Sequence, residues 1–217
     1  MSSDQPTPAE LPLVGGFACL DFCNTLSGWG GPGPRERAGD PAALAAWCAH
    51  AFGQAPRIDR EEWSRLIRLR EVLHAVLDAV AVQAEPPAEA VAELQQEVAE
   101  AASRRRLTVT ASGGAWQDAP PADGAAVRHR LAMDALELLL RGEPARLKRC
   151  AGHDCAWLFY DRSKNASRRW CLMADCGTTD KVRRFRQRQR SGARDQPVSL
   201  YAGTGPDNPA PARWRRC

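Results

Sequence analysis

The sequence predicts an α+β chain in two parts: a mostly helical N-terminal domain with a small antiparallel sheet, then a treble-clef-like module built on four cysteines. Three observations carry this. Apolar residues recur at helical spacing, between clear start and stop signals, over much of residues 40–142. Two short segments, 17–23 and 107–118, alternate as strands do. Cys150, Cys155, Cys171 and Cys176 then stand as C-x4-C-x15-C-x4-C, two tight pairs able to aim four thiolates at one point.

Residues 1–12, rich in Ser, Pro and Thr, read as a disordered lead. The helical domain spans 13–142. LVGGFACLDFCNTL (13–26) predicts a strand from Phe17 to Cys23, interrupted by Asp21 and Asn24, which are buried polar anchors or pocket groups. WGGPGPRERAG (29–39) is loop. Asp40-Pro41 starts a helix that ends at Gly53, and Asp59 caps the next, with Glu61 and Glu62 in its first turn. Trp63, Leu66, Ile67, Leu73, Val76, Leu77 and Val80 form one apolar stripe on it, with His74 beside the stripe. Pro86-Pro87 breaks that helix. A third follows, with Glu89, Glu93, Glu97 and Glu100 spread over a solvated surface. LTVTASGGAWQD (107–118) predicts a hairpin that can extend the strand at 17–23. Asp123 caps a last helix that stops at Gly142.

Residues 143–191 form the cysteine module. Four thiolates at ~2.3 Å from one Zn²⁺ make a closed tetrahedral site with no position for substrate or activated water, so the metal is structural. His153, inside the first pair, is not needed as a ligand. Between the pairs, Trp157, Phe159 and Trp170 fit strand positions, with 161–166 as the turn. Lys148, Arg149, Arg168 and Arg169 flank the ligands and suit either outer-shell hydrogen bonds to the thiolates or phosphate contact. TTDKVRRFRQRQRSG then predicts a helix starting at Thr178 or Thr179 and ending at Gly192. It carries Lys181, Arg183, Arg184, Arg186 and Arg188 against one acid, Asp180. With Arg168 and Arg169 these are the expected nucleic-acid contacts. Residues 192–217 read as a flexible tail ending in an exposed Cys217.

Charge divides the chain in the same way. Residues 1–140 hold 12 Lys/Arg against 19 Asp/Glu, and residues 141–190 hold 14 against 5. The module attracts polyanions and the body does not. The N-terminus lacks a basic and apolar leader, and no apolar run reaches the ~18 residues of a membrane helix, which predicts a cytoplasmic protein. Thiols stay reduced there, so Cys19, Cys23 and Cys48 are expected to be free and buried.

From Cys150 to Arg190 the sequence resembles the CGNR zinc finger, on LFYDRS (158–163), RRWC (168–171), Met173 and Cys176-Gly177. The preceding part is similar to the ABATE domain commonly joined to that finger, on Leu20-Asp21-Phe22-Cys23-Asn24-Thr25, LREVLHAVL (69–77) and RLKRC (146–150). The resemblance implies a stress-responsive bacterial transcription regulator, with the finger on DNA and the N-terminal domain as sensor. One departure stands out: Cys-Gly-Asn-Arg in the family is Cys176-Gly177-Thr178-Thr179 here. Thr178 can replace the asparagine as a cap, and nothing at 179 replaces the arginine.

Two further readings stay open. A small-molecule-binding protein or enzyme would use a pocket of Asp21, Asn24, Arg35 and His74, with the finger as a structural cap. The sequence shows no nucleophile–base pair, phosphate loop or open metal site to support catalysis. RNA or a protein partner could also occupy the basic helix.

Overall fold

The computed structural model describes residues 7–117 and 120–192. Its elements, in chain order, are α1 (Ala18–Cys23), β1 (Leu26–Ser27), β2 (Arg35–Glu36), α2 (Pro41–Phe52), α3 (Arg60–Ala81), α4 (Ala88–Arg104), β3 (Arg106–Thr110), β4 (Gly113–Gln117), α5 (Gly124–Arg141), β5 (Leu147–Arg149), β6 (Leu158–Tyr160) and α6 (Thr178–Gly192). Helices and small antiparallel sheets make it an α+β fold.

Three of the helices, α2, α3 and α5, start where an aspartate side chain satisfies one of the first free N–H groups. Asp40 accepts from Ala43 N at 2.8 Å, Asp59 from Glu62 N at 2.8 Å and Asp123 from Ala126 N at 2.8 Å. α3 is the central element. Leu66, Leu69, Val72, Leu73, Val76 and Leu77 all lie in the core, as do Trp47 of α2, Leu94 of α4 and Val127, Leu131 and Ala135 of α5. Cys19, Cys23 and Cys48 are free and buried among them.

Four local expectations change. Ala18–Cys23 is a helix rather than a strand: Cys19, Leu20, Phe22 and Cys23 face the core, the spacing of a helical face, which a run apolar at every position but Asp21 does not display in its sequence. The β3–β4 ribbon is therefore a sheet of its own, register Leu107↔Trp116 and Val109↔Gly114, with no strand at 17–23 to join. Glu97 and Glu100 are not purely solvated, since with Glu62 of α3 they reach the buried Arg128. The described part of the expected disordered lead is structured: Pro8–Glu10 is a 3-10 turn, and Leu11 is buried with its carbonyl 3.0 Å from His50 Nε2.

Residues up to Lys181 form one compact unit, so the cysteine module belongs to the same body as the helices. Val182 onward forms a second unit. Residues 1–6 of the expected lead and 193–217 of the expected tail, Cys217 included, lie outside the described residues. Among the described residues no helix is long and apolar enough to cross a membrane.

Candidate metal centre and its junction with the helical body

The first cysteine pair sits in the turn between β5 and β6, which pair antiparallel as Leu147↔Tyr160, Lys148↔Phe159 and Arg149↔Leu158. The finger's hairpin thus flanks the first knuckle instead of lying between the two pairs, because β6 finds its partner upstream of Cys150. The second pair spans a π turn, Met173–Gly177, that runs into α6. Gly152 keeps the knuckle tight: a Cβ there would lie 3.0 Å from Cys176 Sγ and 3.2 Å from the Cβ atoms of Cys155 and Cys176, so a side chain would press the two cysteines outward by a few tenths of an ångström.

The four sulfurs lie within 4.8 Å of one another. Cys155 Sγ and Cys171 Sγ are 3.6 Å apart, as are Cys171 Sγ and Cys176 Sγ. A tetrahedral ZnS₄ site with 2.3 Å bonds needs sulfurs about 3.8 Å apart, whereas a disulfide needs about 2.05 Å. The donor set therefore fits one zinc ion. Backbone N–H groups of Gly152 (3.4 Å) and Cys171 (3.3 Å) donate to Cys150 Sγ and stabilise the thiolate. His153 stays outside the cluster, its side chain exposed and its Nδ1 2.6 Å from Asp154 Oδ1.

Three of the four flanking cations, Lys148, Arg149 and Arg168, turn to oxygen rather than to sulfur. Asp161, fully buried, accepts from Lys148 Nζ (2.8 Å), Ser163 N (2.9 Å), Ser163 Oγ (2.6 Å) and Arg168 N (2.8 Å). Burial raises its pKa, but these donors outweigh that and hold the carboxyl below the usual range. Arg168, expected at the nucleic acid, instead points inward. It donates to the carbonyls of Trp170 (3.0 Å), Val14 (3.3 Å) and Cys171, and lies over the Phe159 ring at 4.2 Å. Arg149 pairs with Asp78 of α3 at 3.1 Å. Arg169 is exposed, over Trp170.

Asp21 and Asn24, two of the expected pocket groups, are engaged in hydrogen bonds at the finger's junction, together with Thr25. They join the finger to the body. Asn24, 3% exposed, donates from Nδ2 to Leu158 O and accepts at Oδ1 from Leu158 N, both at 2.9 Å. Its amide thus imitates a neighbouring strand on the open edge of β6, and Gly15 O continues the imitation by accepting from Tyr160 N at 2.7 Å. Gly15 can pass there only without a side chain, since a Cβ would meet Leu20 Cβ at 2.7 Å and Asp21 N at 2.9 Å. Asp21 Oδ1 holds Gly15 N at 2.7 Å, and burial pushes this carboxyl up to about 6. Thr25 Oγ1 receives Arg70 Nη1 at 2.8 Å; Arg70, buried on α3, also grips Glu36 with both terminal nitrogens. Gly28 N donates to Cys155 O at 2.9 Å, so the body also holds a carbonyl of a metal ligand.

His74 stacks under Trp29 with centroids 3.9 Å apart, and burial lowers its pKa. Arg35 is exposed on β2 and, with Trp29, His153 and Asp154, borders a cleft of about 220 Å³ beside the first knuckle. Of the four expected pocket groups, Arg35 alone lines this cleft. Asp161 and Arg70 are the residues that sequence reasoning missed. A charged residue inside the apolar stripe of α3 was the available signal for Arg70; for Asp161 it was its place in the LFYDRS motif (158–163).

The ABATE family model, described as "putative stress-induced transcription regulator", matches residues 16–142. The chain belongs to the ABATE family. A CGNR zinc finger model matches residues 146–189, so this ABATE chain also carries the finger, and its four cysteines are the residues that hold one zinc ion. No curated protein matches it.

If Asn24 closes the finger edge as described, Asn24→Leu leaves a buried N–H and C=O of Leu158 unpaired, at a cost of about 2–4 kcal/mol. Urea unfolding of the zinc-loaded variant checks this. A loss under about 1 kcal/mol would mean that water or another group replaces the amide.

Proposed function

We propose that this ABATE protein binds duplex DNA through α6 and acts as a transcription regulator, with zinc in a structural role. One observation carries the reading. Residues 181–189 of α6 are exposed throughout and bear Lys181, Arg183, Arg184, Arg186 and Arg188, with no acid beyond Asp180. Like charges at helical neighbour spacing repel by a few tenths of a kcal/mol per pair. Phosphates relieve that repulsion and release counterions.

The base of the helix supports the same view. Asp180 is buried, and Thr178, expected to cap the helix with its hydroxyl as acceptor, has helical dihedrals and donates to Met173 O at 3.1 Å. The π turn of the second cysteine pair therefore continues into α6 without a break. Thr179, where the family carries arginine, is exposed and uncharged. Its neighbours Lys181 and Arg183 supply the positive charge on the first turns. Catalysis at the metal is disfavoured because four thiolates fill the tetrahedron.

The zinc-loaded chain is expected to bind duplex DNA with an affinity falling steeply between 50 and 200 mM salt, with a slope of about −0.9 per phosphate neutralised. Replacing Arg183 and Arg184 by alanine should make that slope shallower by about 2. Fluorescence anisotropy measures both, with structured RNA at matched ionic strength as the competing partner. Absence of binding to the duplex at low salt, or tighter binding to RNA, overturns the reading.

A further inference from the structure

Residues 28–33, GWGGPG, turn tightly beside the first knuckle: Gly31 N donates to Gly28 O at 3.0 Å, and Gly28 N donates to Cys155 O at 2.9 Å. This loop, β2 and the knuckle enclose the cleft of about 220 Å³ in which Trp29, Pro32, Arg35, His153 and Asp154 meet. Trp29 is a fixed wall of it. His74 stacks on one face of the ring at 3.9 Å, and Nε1 donates to Cys23 O at 3.2 Å, which leaves the rest of the ring for an occupant. Arg35 is an uncompensated cation: its side chain has no hydrogen bond, ion pair or ring contact among the described residues. The acid next to it, Glu36, is taken by both terminal nitrogens of Arg70 and by Ala38 N at 2.7 Å. Asp154 brings the opposite charge to the same cleft. Its Oδ1 meets His153 Nδ1 at 2.6 Å, and no ion pair joins it to Arg35.

We propose that this cleft binds a free amino acid with an aromatic side chain. The ligand carboxylate pairs in two-pronged fashion with the guanidinium fork of Arg35. Its ammonium group donates to Asp154, whose second oxygen remains open as an acceptor. Its ring packs against Trp29 and Pro32, where aromatic contact adds to the gain from covering apolar surface. A plain carboxylate would leave Asp154 unanswered, a plain amine would leave Arg35 so, and a ligand without a ring would leave Trp29 in water. The volume lies at the small end of ordinary binding sites, as a molecule of amino-acid size requires. The site uses no position on the metal and no residue of α6, so its test is independent of DNA binding.

The full zinc-loaded chain would be titrated by calorimetry with phenylalanine. Hydrocinnamate, phenethylamine and glycine serve as controls that lack the ammonium group, the carboxylate and the ring in turn. Phenylalanine should bind at least tenfold more tightly than each control. Arg35→Gln and Asp154→Asn, both at exposed positions, should each weaken it at least tenfold while keeping the far-UV circular dichroism and the zinc content of the wild type. Gly33 lines the cleft, and a Cβ there would meet nothing within 4 Å. Gly33→Leu therefore fills the cleft with both charges in place, and should weaken phenylalanine as strongly. No binding of phenylalanine, a preference below tenfold over any control, or undiminished binding by any of the three variants overturns the proposal.

Discussion

Removing the zinc is expected to destabilise the helical body as well as the finger. Without a cation, four sulfurs as close as 3.6 Å have nothing to draw them together, and metal binding supplies on the order of 10 kcal/mol of folding free energy in isolated fingers. The loss spreads because β6 is also a structural partner of the body. Asn24, Gly15 and Gly28 direct backbone or amide hydrogen bonds at Leu158, Tyr160 and Cys155, and Leu158 and Phe159 are fully buried in the shared core. Chelation should therefore lower the melting temperature of the whole chain by more than 10 °C, since each kcal/mol shifts a domain of this size by about 2–4 °C. It should also raise the solvent exposure of Trp157 and Trp170, both reversed by stoichiometric Zn²⁺. Circular dichroism and tryptophan fluorescence read these together. A chelated chain that keeps its helical melt would show that the finger is an independent appendage and that the junction at Asn24 contributes little.

What the sequence revealed and what it concealed follow the range of the interactions. The cysteine ligands were legible because each pair is a local turn and the pairs have few ways to meet. The starts at Asp40, Asp59 and Asp123 were legible because a cap reaches only three residues ahead. Asn24 was recognisable as part of a motif, but its partner, Leu158, is 134 residues away, so its role could not be read from its neighbours. The helix over Ala18–Cys23 was misread as a strand for a related reason. Six residues are under two helical turns, and the face they bury is set by α3, α5 and β6 rather than by their own period. Arg168 shows the limit of counting charge. It adds as much to a basic composition as Arg183 does, yet aromatic stacking and three carbonyls turn it inward.

Arg128 makes the same point from inside the body, and its removal is the largest single-residue effect expected outside the metal site. The side chain is 2% exposed. Its Nε meets Glu62 Oε1 at 2.7 Å, its terminal nitrogens reach Glu100 at 3.2 Å, and Nη1 also bonds Glu97. One cation thus joins α5 to α3 and α4. Arg128→Ala would leave three carboxylates facing one another around a vacated volume, a loss of about 3–5 kcal/mol by the usual cost of breaking a buried pair. The pH dependence separates charge from packing. The Arg128 hydrogen bond, more than any other influence, lowers Glu100 from an ordinary 4.5 to about 2. A depressed carboxylate stabilises the fold fully above its unfolded pKa and loses that contribution as pH falls through the folded one. The stability gap between wild type and variant should therefore be constant above about pH 5 and narrow steadily as the pH falls from there toward 2. Denaturant unfolding at pH 7 and pH 3 tests it: an unchanged gap would assign the loss to packing of the arginine stem, and a gap that shrinks with acid assigns it to the three glutamates.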